Sequence, residues 1–440
     1  MKRRSLRLIA AGTLVLAMAF SLAACGGSTS SDLTETEAEA EDTDEKENEA
    51  ADSLKTDAAS EMDEASKKGQ NVAEEGASEE ENNASSGEES EEAPVISGLT
   101  FSYTTPLQYA ECFTIYNYED GYKLIDIPES GTYLVIPEDG SVPSDLSEDI
   151  IVLQQPLDKI YLAATSAMSL FDAVDAIDHI RLSGTNASGW YVDSAVDAMN
   201  AGDMLYAGKY SEPDYEMLVS EGCNLAIEST MIYHTPKVKE MIEDLDIPVL
   251  VDRSSYESHP LGRTEWIKLY AALVNKEDEA ETFFDEQTKV IEELEDCKNT
   301  GANVAFFYVN TDGSVVVRNP EDYIPKMIEI AGGKYIFDDL EAESTSTAPS
   351  ITMEEFYSTA IDADYLIYNA AIDSPLGSVD ELIAKDALFA DFKAVKEGNV
   401  WTTGKNFYQA TDIVGQMIKD VNIMLNDGDP SEMTFLSKVE

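Results

Sequence analysis

Three histidines and four cysteines are the residues in this chain best suited to metal or nucleophilic chemistry, and their spacing supports neither. His179, His234 and His259 are scattered, and no HExxH, GxSxG, P-loop or GxGxxG pattern occurs. Cys25, Cys112, Cys223 and Cys297 show no CxxC spacing, so neither a zinc ribbon nor a redox pair is encoded. A disulfide between two of the last three would leave one odd thiol, and an inert buried thiol is the simpler reading of Cys223. His234 and His259 fall in loops, where they can ligate a metal or haem or simply stand solvated. With no nucleophile–base pair and no ligand cluster, the sequence argues against an enzyme and against a resident cofactor.

The charge narrows the partners. The chain has 440 residues, with 87 Asp+Glu against 29 Lys+Arg and a net charge of −58. The charge argues against nucleic acid as a partner, because phosphate binding needs a basic face, and an anionic membrane surface would repel the chain. The hydrophobic share of 43% still allows a sizeable core.

The elements that position any site begin after an address. Residues 1–25 carry a basic start, Lys2-Arg3-Arg4, and an apolar run from Leu8 to Ala24, as a secretory signal does. Leu22-Ala23-Ala24-Cys25-Gly26 looks like a bacterial lipobox, which implies lipidation of Cys25 and anchoring to the outer face of the cytoplasmic membrane. Residues 26–95 read as a disordered acidic tether. From 31 to 95 there are 24 acidic and 4 basic residues and no aromatic, too little apolar bulk to offset ordering entropy.

Residues 96–156 read as β, with short apolar runs separated by Glu119-Asp-Gly121, Pro128-Glu-Ser-Gly131 and Pro137-Glu-Asp-Gly140, as in a meander. From Lys159 strands and helices alternate, which argues for mostly parallel sheets. The expected architecture is α/β, with one lobe at 157–262, linking helices at 263–298 and a second lobe at 299–440. A helix from Lys276 to about Cys297 has apolar residues at Ala280, Phe283, Phe284, Val290, Ile291 and Leu294, a 3.6-residue stripe.

A lipobox, a tether and two Rossmann-like lobes joined by one long helix resemble the substrate-binding lipoproteins of ABC importers, within them the iron-siderophore, haem and cobalamin class. The resemblance covers about 157–425. It is carried by Lys159–Ser166, Ser211-Glu-Pro-Asp-Tyr-Glu216, Ile247-Pro-Val-Leu-Val-Asp252, Leu261-Gly262, Ala331-Gly332-Gly333, Thr352-Met-Glu354 and Lys405-Asn-Phe-Tyr-Gln409. Family members begin near Lys159, so the β segment is an addition whose purpose the sequence leaves open.

The resemblance implies a ligand between the lobes, at strand ends and helix starts. The loops there supply Ser166, Trp190, Tyr191, Tyr210, Thr230, Arg253 and Tyr256 from lobe one, and Arg318, Lys405 and Tyr408 from lobe two. The aromatic residues can form a flat wall for a macrocycle or pack in the lobe cores. The cations can meet carboxylate or catecholate oxygen or form surface ion pairs. The resemblance further implies a permease partner docked by one acidic residue per lobe, Glu216 and Glu354, each of which can instead be a carboxylate favoured by its helix dipole. A monomer with little lobe closure is expected. An extracytoplasmic hydrolase or an adhesion lipoprotein is the alternative class.

Overall fold

The structure, a computed structural model, describes residues 93–294, 299–340 and 348–440, all within one unit, 45–440. The signal, most of the tether, Cys25 and Cys297 lie outside the described residues. No described helix is long and apolar enough to cross a membrane.

The first sheet runs in chain order: β1 (Phe101–Thr104), β2 (Thr114–Tyr118), β3 (Lys123–Ile127), β4 (Gly131–Ile136) and β5 (Ile150–Gln154). Strands β1 to β4 are antiparallel, but β5 is parallel to β4, because residues 137–149 cross back before β5 begins. A simple meander is therefore corrected at its last strand. Both faces of the sheet are covered, as the period of two requires. Ile115, Ile125, Ile127, Tyr133 and Val135 enter the core of lobe one. Tyr116, Tyr118, Leu124, Leu134 and Ile136 form a second, smaller core with Ile96.

Lobe one is an all-parallel sheet in the order β10-β9-β6-β7-β8, with β6 (Ile160–Leu162), β7 (Ile180–Ser183), β8 (Leu205–Tyr206), β9 (Leu225–Ser229) and β10 (Val249–Asp252). Lobe two contains β11 (Ala302–Val309), β12 (Val315–Val316), β13 (Gly333–Tyr335), β14 (Ser350–Ile351), β15 (Tyr365–Tyr368), β16 (Val400–Thr403) and β17 (Leu436–Lys438). Strands β13, β11, β15 and β16 are parallel, whereas β12, β14 and β17 are antiparallel additions. Phe307, Phe337, Phe356, Phe389 and Phe392 pack ring on ring in its core, with centroids 4.6–6.0 Å apart, the offset and edge-on spacing that aromatic quadrupoles favour.

The linking segment contains helices Pro260–Glu265, Ile267–Val274 and Glu277–Glu292, the long last one reaching both cores. The last break falls at Asn275, a left-handed cap with φ 58°. Ile267–Val274 is buried in lobe one. Glu277–Glu292 is about 24 Å long. It places Phe284 in the core of lobe one and Ile291 against both cores. It also packs on the closing helix Val414–Leu425, where Gly415 lets the two backbones approach: a Cβ there would lie 3.3 Å from the Gln287 carbonyl.

The added sheet is stapled to these helices at two ends. At one end Glu265, fully buried, accepts backbone N–H from Gln108, Tyr109 and Ala110 at 2.8–3.0 Å. Glu257 accepts from Glu111, Cys112 and the Trp266 indole. Burial pushes the Glu257 carboxyl up, and these donors oppose the shift. Gly262 is required where the loop passes, since a Cβ would meet the Tyr109 carbonyl at 2.9 Å. At the other end Lys123 donates to the Ala272 carbonyl and Asn275 Oδ1, both at 2.9 Å, and pairs with Glu277. Gln155 donates to the Leu273 carbonyl at 2.8 Å. These side chains satisfy carbonyls that the end of helix Ile267–Val274 leaves open. The segment 96–156 is thus continuous with the lobe one core.

Candidate functional site

The two lobes meet through polar contacts at the carboxyl ends of the parallel strands. Gln409 is the main bridge: its Nε2 donates to the Gly189 carbonyl and its Oε1 accepts from the Tyr191 N–H, both at 2.8 Å. Thr264 Oγ1 donates to the Thr411 carbonyl at 2.8 Å, and the Asp412 N–H donates to Ser169 Oγ at 3.4 Å. Tyr191, joined to lobe two through its backbone, keeps its side chain 41% exposed.

Arg318 begins the lobe two side. It is buried and grips Asp322 with two contacts, Nε to Oδ1 at 3.1 Å and Nη2 to Oδ2 at 2.6 Å. Asp322 also caps helix Tyr323–Ile330 by accepting from the Ile324 N–H. Burial works against the Arg318 charge, but the Asp322 carboxylate outweighs it and raises the pKa. Arg318 is therefore a structural ion pair rather than an open ligand anchor. Tyr408 stands close to it and accepts from Asn369 Nδ2 at 2.8 Å. Burial raises the Tyr408 pKa, so its hydroxyl keeps a proton to donate.

Arg263, which the sequence reading did not single out, completes this cluster. Its guanidinium lies 4.2 Å above the Tyr323 ring and interacts electrostatically with Tyr408. The residue is 6% exposed, Nε has no hydrogen-bond partner, and no carboxylate among the described residues pairs with it. Nothing in the stretch Leu261–Val274, which also carries Glu265 and Lys268, marks Arg263 apart from its neighbours.

The lobe one candidates are divided by their surroundings. Trp190 is a correction: at 4% exposure it packs in the lobe one core, with its indole N–H held by Ser183 Oγ at 3.0 Å and the Thr185 carbonyl at 3.1 Å. It offers no open wall. Ser166 donates to Asp252 Oδ2 at 3.2 Å, beside the Tyr270 hydroxyl on the same oxygen. Thr230 is buried in the turn after β9, and Tyr210 is half-buried after β8. Arg253 is engaged by Glu129 of the added sheet at 2.9 Å and lies 4.5 Å over the Tyr256 ring, which is 40% exposed. Lys405 is exposed, with no ion pair among the described residues.

His259 caps helix Pro260–Glu265 by accepting from the Leu261 N–H, stacks on Tyr109 at 4.4 Å, and is pushed down to about 4 by burial. No cluster of potential metal ligands occurs among the described residues. Cys112 and Cys223 are free thiols, each pushed up, to about 12 and about 11, chiefly by burial. An open surface hollow lined by Ser374, Leu376, Glu381 and Lys385 belongs to lobe two.

The family described as periplasmic binding protein matches residues 184–407, from the end of β7 through the linking helices to the Lys405–Gln409 loop. The chain belongs to that family. An uncharacterized lipoprotein of Methanocaldococcus jannaschii is 25% identical over 306 residues, 66% of this chain and 70% of its own length. A second from the same organism is 23% identical over 329 residues, covering 71% and 81%. Among solved structures, a possible iron-binding periplasmic solute-binding protein of Staphylococcus epidermidis is similar at 17% identity and a TM-score of 0.48, over 61% of this chain and 98% of that one. A periplasmic haem-binding protein of Vibrio cholerae is similar at 15% and 0.48, over 59% and 97%. In this binding protein, residues 184–407 include Arg263, Tyr323 and Arg318 and end one residue before Tyr408.

Proposed function

We propose that the protein is an extracytoplasmic solute-binding lipoprotein that captures a metal chelate or tetrapyrrole, of the iron-siderophore, haem or cobalamin type, and delivers it to an ABC importer. The observation that carries this reading is the junction itself. Two α/β lobes meet at their strand ends through Gln409, beside a buried polar cluster with an unfilled guanidinium and the exposed rim residues Tyr191 and Tyr256. The names of the archaeal relatives and the Cys25 motif support a lipid anchor. A monomer acting with a permease follows from the same reading.

Glu216 and Glu354 are the proposed docking residues. Both are exposed and both occupy the second position of a helix, after the caps Asp214 and Thr352. Glu355, the neighbour most easily confused with Glu354, is engaged in a capping box with Thr352. Native mass spectrometry of the full chain from cells grown with iron, haem and cobalamin tests the reading. A co-purifying chelate of matching mass is expected, and an amino acid or sugar in its place would overturn it.

A further inference from the structure

The cluster at the lobe junction contains two guanidiniums and one carboxylate. Arg318 is satisfied by Asp322. Arg263 has no carboxylate among the described residues, although the chain holds three acidic residues for every basic one. A buried charge without a partner costs several kcal/mol, and a donor without an acceptor adds to that. The Tyr323 ring at 4.2 Å offsets a part of this cost through its π face but accepts no hydrogen bond in the guanidinium plane. Nearby, the Tyr408 hydroxyl accepts from Asn369 and has its own proton free for an acceptor among the described residues. Two donors and one uncompensated positive charge therefore converge where the lobes meet, and together they lack an anionic oxygen.

We propose that this protein selects anionic solutes and that Arg263 receives a carboxylate, catecholate or similar oxyanion of the bound molecule, with Tyr408 as second donor. The proposal rests on the lobe junction being the solute site and names its charge class. It also identifies which cation anchors the ligand: Arg253 and Arg318 are engaged by Glu129 and Asp322, and Lys405 stands in solvent. The overall negative field of the chain works against anion capture at long range, so recognition depends on this local charge.

The test uses two octahedral iron complexes of similar shape and different charge, ferric tris(catecholate), a trianion, and a neutral ferric tris(hydroxamate). The full-length protein is titrated with each by fluorescence, beside R263Q, R263K and R263M. The trianion is expected to bind more tightly. R263Q should weaken it roughly 10- to 100-fold, the range set by charged hydrogen bonds, and leave the neutral complex unchanged. R263K should restore part of the loss. Empty R263M should melt at a higher temperature than the parent, because it removes an unpaired buried charge. Equal binding of the neutral complex, unchanged affinity in R263Q, or a lower melting temperature for R263M would overturn the proposal while leaving chelate binding in place. If neither complex binds but citrate raises the melting temperature of the parent and not of R263Q, the anion site stands and the chelate reading falls. Absence of any response to all three probes would overturn both.

Discussion

Glu265→Gln isolates the staple between the added sheet and the linking helices. The carboxylate is fully buried, accepts three successive backbone N–H groups from Gln108 to Ala110, and pairs with Lys268 at 2.7 Å. An amide keeps one acceptor oxygen and turns an NH2 toward donors, so at least one N–H loses its partner and the Lys268 ammonium loses its carboxylate, keeping the Pro106 carbonyl at 2.9 Å. A hydrogen bond to a charged group contributes about 1.5–3 kcal/mol, and stranding a buried ion pair costs about 3–5 kcal/mol. Since the two overlap here, a loss of roughly 3–5 kcal/mol is expected, a large part of the ~5–15 kcal/mol that holds a domain together. Urea unfolding followed by tryptophan fluorescence measures it, because Trp266 lies beside the staple in the lobe one core. A destabilisation below about 1 kcal/mol would show that the Glu265 carboxylate does not hold the added sheet.

Asp412 sits at the lobe junction and is pushed up to about 6 by burial, with the Ser169 hydroxyl opposing. Its folded pKa exceeds the unfolded value near 3.8, so the folded state binds more protons between those pH values and stability falls as pH rises from about 4 to 6. Asp412→Asn should therefore match the parent at pH 4 and be more stable at pH 7, by up to about 3 kcal/mol, and identical pH profiles would reject the assignment. Reversing charge at Glu216 and Glu354 together should abolish uptake of the chelate in cells while leaving its affinity for the purified protein unchanged, and normal uptake would reject the docking role. Scattering curves with and without ligand should superimpose, since the three helices and the Gln409 bridge hold the lobes as one body, and a marked contraction would contradict this.

Much of the fold was legible because it rests on local signals. The Ile160, Leu225 and Val249 strands are short apolar runs bounded by turns, and Asp214, Thr352 and Ser378 announce the helices they cap. Helix Asp193–Ala201 was not, because its exposed face is acidic and only Ala195 of its residues is buried. The parallel pairing of β5 with β4 depends on where residues 137–149 lead the chain, which no residue of β5 states. The site was less legible for the same reason. Trp190 and Arg318 have the right residue types, yet one is drawn into a core by Ser183 and the other into a pair by Asp322. Arg263 is conspicuous only once the opposite lobe is seen to bring Tyr323 and Tyr408, but no pairing carboxylate among the described residues, to meet it. Glu257, Glu265 and Asp420, each collecting backbone N–H groups inside the protein, were lost among the many solvated acids of this chain.

Hydrogen exchange of the full-length protein with and without ferric tris(catecholate) tests most directly whether solute lies between the lobes. The account predicts slowed exchange at 189–191, 318–324 and 405–412, where the two lobes converge on Arg263. Protection confined to the hollow at 374–385, or none at the lobe junction despite binding, would contradict it.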